Sequence, residues 1–262
     1  MKPARFDYER PASLADALNL ISEGKPMAGG QSLGPMLNLR VVQPSRLVDV
    51  RLMDELRATS EDADSVILGA SITHAQIEDR KVPDPSRGFM PFVASRIAYR
   101  AVRNRGTLGG SLAHADPAAD WPTALALLGG TAIIQGKSGR REAPLDRFVT
   151  GLFSTVLQDG ELLVAVKIPK LSAQARWGYW KFCRKAGEFA QAIGGALRDP
   201  ATGRMRAVLG AVQGAPHVIA DATRCDPEAE AAKVCSDPYD RRLHAVALAR
   251  ALSQLGEAPA WP

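Results

Sequence analysis

Two short segments in the first half of the chain combine glycine with hydroxyl and amide side chains: Ala28, Gly29, Gly30, Gln31, Ser32 and Thr107, Leu108, Gly109, Gly110, Ser111. A glycine pair lets the backbone turn tightly and approach a ligand with no Cβ in the way. Consecutive N–H groups exposed by such a turn form a concavity for anionic oxygens, and neighbouring hydroxyls add donors to it. Two such segments in one chain suggest one diphosphate gripped from two sides. The pattern is neither a P-loop nor a dinucleotide fingerprint: there is no G-x-x-x-x-G-K-S/T, and no G-x-G-x-x-G between a strand and a helix. Read alone, the second segment serves equally well as a structural turn. His114 and Asp116 just beyond it invite a metal or catalytic reading, but a single histidine near one carboxylate is more often a hydrogen-bonding structural residue.

The elements that must position these segments are short. Ser13 with Asp16 is a weak capping-box variant that opens a helix with Leu14, Ala17, Leu18 and Ile21 on one face, and Gly24 is its natural stop. A strand over 25–28 delivers the first glycine segment. Residues 47–50 and 66–70 read as buried strands, and Thr73 caps a helix running through Ile77. Phe92, Val93, Arg96 and Ile97 predict a helix over 89–100 that ends before the second segment. That segment is expected as a loop running to a helix over 117–128, capped by Asp116, with Pro122 kinking it or marking a later start. Strands over 131–135 and 162–168 follow, and the polar stretch 170–176 reads as a linker. Beyond it come strands over 177–183, 191–197 and 205–212, with a turn signal at 199–203, then helices near 227–235 and 239–255. This order predicts an α+β chain: a domain over 1–170 and a smaller sheet-plus-helices domain over 175–262.

Composition removes several classes of function. With 262 residues and 46% hydrophobic content, the chain can bury a sizeable core. A net charge of +5 would suit nucleic acid, but Arg40, Arg46, Arg51 and Arg57 alternate with Asp49, Asp54 and Glu55 and no basic run occurs. A mixed solvated surface is expected instead, some of it facing an acidic partner subunit. Cys183, Cys225 and Cys235 form no C-x-x-C and no metal-ligand spacing, which fits a reducing cytoplasm and leaves no usual pattern for an iron–sulfur cluster. The opening MKPARFDYERPAS lacks the apolar core of a signal peptide. The apolar region near 124–134 is interrupted by Gly129, Gly130 and Thr131 and is too short to span a bilayer, so a soluble protein is expected.

AGGQS at 28–32, RNRGTLGGSLAHADPAAD at 103–120 and RKAGEFA at 184–190 together closely resemble the FAD-binding medium subunit of molybdenum hydroxylases. That is the family of carbon monoxide dehydrogenase, xanthine dehydrogenase and related aldehyde or N-heterocycle dehydrogenases, and the resemblance covers essentially the whole chain in order. It implies a two-part FAD-binding domain of the vanillyl-alcohol oxidase/PCMH type over 1–170, its two subdomains splitting near 50–60, followed by the family's smaller C-terminal domain. It implies non-covalent FAD, with Ala28, Gly29, Gly30, Gln31 and Ser32 on one side of the diphosphate and Thr107, Leu108, Gly109, Gly110 and Ser111 on the other. Asp120 matches a family FAD contact and would accept from a sugar hydroxyl; its plainer role is a buried residue paired with backbone. Lys185 would lie near the pyrimidine edge, where positive charge stabilises the anionic reduced ring. Phe189 stands where relatives often carry Tyr and would cover one flavin face, keeping the stacking surface while losing any hydroxyl hydrogen bond. Its plainer reading is a strand core residue.

The same resemblance implies a function without a nucleophile or general base in this chain. Electrons would leave a molybdenum cofactor in a large subunit, cross two [2Fe-2S] clusters in a small subunit, and reach FAD here. From there they would pass to NAD, a quinone or oxygen. Nothing in the chain resembles a molybdopterin site or the Cys-rich small subunit, so both are expected in separate partner chains, assembled as a dimer of heterotrimers. NAD, if used, would dock directly on the flavin face. Two other readings compete. A self-sufficient flavin oxidase of the vanillyl-alcohol oxidase type needs a substrate domain for which 262 residues leave little room. A cofactor-less scaffold subunit has no physical need for Gly29, Gly30, Gly109, Gly110 and Asp120.

Overall fold

The computed structural model describes residues 2–256. Its first sheet is parallel, with Arg46–Asp49 between Asp7–Glu9 and Lys25–Met27. Helix Leu14–Leu20 links two of these strands; the Ser13 side chain accepts from the Asp16 N–H at 3.1 Å, as the sequence pattern predicts. The helix ends at Ile21 rather than at Gly24. At the end of the middle strand Asp49, 1% exposed, accepts from both Arg51 and the Tyr8 hydroxyl.

The second sheet is antiparallel, in the order Thr59–Glu61, Ser65–Gly69, Leu162–Pro169, Thr131–Gly136, Gly139–Pro144. Its central strand is apolar except for Lys167 because both faces are covered. Leu162, Val164 and Ala165 pack with Ala17, Leu18 and Ile21, while Leu163, Val166 and Ile168 join a larger core with Trp121, Leu125 and Leu128. Those three come from helix Asp120–Leu128, in which every residue is buried. A helix apolar all round belongs between two layers. On its far side lies the third sheet, Arg176–Phe182, Ala192–Asp199, Arg204–Gly210 and His217–Ile219, whose Tyr179, Ile193, Leu197 and Val208 complete the same core. Helices Pro227–Val234 and Pro238–Ser253 follow, the second packing on this sheet.

Three expectations change. The helix expected over 89–100 is Phe89–Ser95 only, with Ala98 at φ +44° before a separate short helix Arg100–Arg103. The helix expected from Pro117 starts at Asp120, so Pro122 falls in its first turn, where its missing N–H has no intrahelical partner to lose. Asp116 caps only the turn before it, accepting from Ala118 N–H at 2.9 Å. The segment 107–111 is not an open loop. It begins helix Leu108–His114, whose N-cap is Thr107. Among the described residues, no helix is long and apolar enough to cross a membrane and no cluster of His, Cys, Asp and Glu could hold a metal ion.

Candidate functional site

A cavity of about 590 Å³ opens where the three sheets converge. One wall is the segment that leaves strand Lys25–Met27 and enters helix Leu33–Asn38. A second is formed by the starts of helices His74–Glu78 and Leu108–His114, and a third by Asp120, Lys181 and the turn that carries Gly187 and Phe189.

The two glycine segments meet, but they do different work. Gly29 packs so closely on the second segment that a Cβ there would stand 2.0 Å from the Arg105 carbonyl oxygen. Gly30 is left-handed, at φ +71°, and turns the chain into the helix. Among the described residues, the N–H groups of Gly29, Gly30, Gln31 and Ser32 meet no protein acceptor, and the Gln31 amide donates to the Gly29 carbonyl. Four successive unpartnered donors on a cavity wall are a cradle for anionic oxygens.

The second segment has already used its donors. Leu108 N–H donates to the Ile72 carbonyl at 2.9 Å, Gly109 N–H to Ala70 at 2.8 Å, and Gly110 N–H to the Thr107 hydroxyl at 3.0 Å. Ser111 N–H bonds the Thr107 carbonyl. The expected second nest of backbone donors is therefore absent, because these amides build the junction with Ala70–Ile72 and the first helical turn. What this side turns to the cavity is Thr107, Gly109, Gly110 and Ser111, without the Leu108 side chain, which is fully buried in the core.

Asp120, 5% exposed, lines the cavity and accepts from Tyr179 Oη and Lys181 Nζ, each at 2.8 Å. Its partners are side chains of the third sheet, not backbone. Burial, reinforced by the Asp120 charge, pushes the Tyr179 hydroxyl well above its ordinary range, so it stays a donor. Lys181 and Lys25 are the lysines that line the cavity, and Lys181 is the one paired with Asp120; Lys185 is exposed and outside the lining. Strand Arg176–Phe182 ends before Lys185, which stands in a turn closed by Glu188 N–H to its carbonyl at 3.1 Å. A lone lysine within the aromatic run Trp177–Phe182 was the signal for Lys181 in the sequence. Phe189 also follows that strand's end; it is 61% exposed at the cavity rather than a strand core residue.

Two histidines complete the lining. His114 stacks on Phe153 with centroids 5.0 Å apart, and burial lowers its pKa. His74 accepts a hydrogen bond on Nδ1 from the Trp121 indole at 3.0 Å, and burial with Arg103 nearby holds its pKa down to about 4. The contact shown for the His114 ring is its stacking on Phe153, in place of the hydrogen bond expected of it.

Residues 4–171 match the family described as the FAD binding domain in molybdopterin dehydrogenase. The chain is 35% identical to the carbon monoxide dehydrogenase medium chain of Hydrogenophaga pseudoflava over 196 residues, 73% of this chain and 68% of that one. It is 37% identical to the nicotine 6-hydroxylase medium subunit of Paenarthrobacter nicotinovorans over 218 residues, 82% of this chain and 76% of that one. A solved structure of Hydrogenophaga pseudoflava carbon monoxide dehydrogenase, lacking the Mo-pyranopterin moiety of its cofactor, matches with a TM-score of 0.88 at 28% identity, covering 98% of this chain and 99% of that one. The chain belongs to the FAD-binding medium subunits of the molybdenum hydroxylase family, with their α+β PCMH-type fold and smaller C-terminal sheet-and-helix domain.

Proposed function

We propose that this chain is the FAD-carrying electron-transfer subunit of a molybdenum-dependent hydroxylase or dehydrogenase. It would take electrons from a [2Fe-2S] subunit and pass them to an external acceptor, NAD, a quinone or oxygen. The observation that carries the reading is the row of unpartnered N–H groups at Gly29–Ser32 on a cavity otherwise closed by Asp120, Lys181 and Phe189. Bound FAD supplies the redox chemistry, since it accepts electrons singly or in pairs. The chain's own residues supply binding and electrostatics. The Gly29–Ser32 amides hold the diphosphate, with hydroxyl donors Ser32 and Ser111 beside it. The Asp120 oxygens have lone pairs left after Tyr179 and Lys181, enough to accept from a cofactor hydroxyl. Lys181 sets a positive charge beside the ring site, and Phe189 offers a face to cover it.

The partners of this reading are a large molybdenum-cofactor subunit and a small [2Fe-2S] subunit, in the cytoplasm, as a dimer of heterotrimers. The division at about residues 170–175 into two domains belongs to the same proposal. Acid release of cofactor from the purified chain tests it. FAD near one per chain, with no turnover of small organic substrates until partner subunits are added, is the expected result. A colourless chain that takes up no FAD overturns it.

A further inference from the structure

His74 is the one histidine whose ring state the surrounding structure dictates at the cavity wall. Its N–H donates to the Gly106 carbonyl at 2.9 Å, and the Thr73 capping box fixes the turn that carries it. The residue is 5% exposed. An indole N–H only donates, so the 3.0 Å bond from Trp121 Nε1 requires a lone pair on Nδ1. The neutral ring then carries its proton on Nε2. That Nε2–H has no protein acceptor among the described residues. The Cδ2–Nε2 edge lies against Gly106, where a Cβ would stand 2.8 Å from both atoms, and both residues line the cavity. A ring nitrogen held as a donor at the cavity wall, with no protein group to receive its proton, is placed to meet an acceptor from the cavity.

We propose that His74 is a cofactor-binding residue whose Nε2–H donates a hydrogen bond to an acceptor atom of the flavin, with Trp121 as the positioning residue that fixes its tautomer. The inference rests on the reading of the cavity as an FAD site. Burial and the Arg103 guanidinium oppose protonation, which suits a donor that brings no charge to the cofactor. Glycine at position 106 keeps the ring edge uncovered.

The test uses the full chain, freed of flavin and labelled with ¹⁵N-histidine. Titration with FAD is expected to move the His74 Nε2–H proton downfield while Nδ1 stays unprotonated; in Trp121→Phe the flavin-free spectrum is expected to show both tautomers. In parallel, His74→Phe is expected to weaken FAD binding by about 3- to 30-fold, measured by flavin fluorescence, with His74→Gln recovering part of the loss through its amide donor. A loss shared by riboflavin, FMN and FAD assigns the acceptor to the ring or ribityl chain, and a loss confined to FMN and FAD assigns it to phosphate. FAD bound with an unmoved Nε2–H signal and an unchanged His74→Phe dissociation constant overturns the inference alone. A wild-type chain that takes up no flavin overturns the functional reading with it.

Discussion

Lys181 Nζ stands 2.8 Å from Asp120 Oδ2, with the two side chains 7% and 5% exposed. Asp120 opens the central helix, and Lys181 lies two residues beyond Tyr179 on the third sheet, so both donors leave the same strand face. The contact joins the two halves of the core and walls the cavity at once. Removing one member of a buried ion pair leaves the other charge uncompensated.

Lys181→Met is therefore expected to cost about 3–5 kcal/mol in urea unfolding. The double variant Lys181→Met with Asp120→Asn should recover part of that loss, because no isolated charge then remains. Both should weaken FAD binding. Equal stability of the single and double variants would show that the pair is not electrostatically coupled.

Gly29→Ala places a Cβ 2.0 Å from the Arg105 carbonyl, so the two glycine segments must separate. Loss of FAD uptake is expected, with a lowered melting temperature. Gly34→Ala is the matched control: it meets nothing within 4 Å and lies in helix Leu33–Asn38. It should be neutral or stabilise by up to about 1 kcal/mol.

These glycines mark the boundary of what the sequence made legible. Gly29 and Gly30 were readable as a ligand-facing turn, and the capping residues Ser13 and Thr73 marked their helices. The second glycine segment misled because Thr107, with a backbone partner at Gly110, is a helix cap as well as a hydroxyl donor. Only the segment that follows strand Ser65–Gly69, through Ala70 and Ile72, decides where the Leu108 and Gly109 amides go. Lys181 and His74 were missed for a related reason. Each acquires its role from a residue far away in the chain, Asp120 and Trp121, and no local spacing encodes such a pairing.

His74 also makes stability depend on pH. Its folded pKa of about 4 lies below the ordinary 6.5, so between these values the unfolded chain binds the extra proton. Stability is full above pH 6.5 and falls as pH drops toward 4, by at most about 1.4 kcal/mol per pH unit from this group. Flavin-free His74→Gln should show a shallower fall across that window in urea titrations. His114, also lowered, remains in both proteins and cancels from the difference.

Phe189→Ala removes a ring that is 61% exposed, so the flavin-free chain should change stability by less than about 0.5 kcal/mol. FAD affinity should fall and the visible band of the bound flavin should shift, as one face loses its cover. Unchanged binding and spectrum would remove Phe189 from the ring site.

On the proposed function the Gly29–Ser32 amides are the open donors of an FAD site. Hydrogen–deuterium exchange of the flavin-free chain with and without FAD tests it most directly. FAD is expected to protect the amides of Gly29, Gly30, Gln31 and Ser32, while those of Leu108 to Ser111 are already slow without it. FAD bound with the 29–32 amides still exchanging freely would contradict the account.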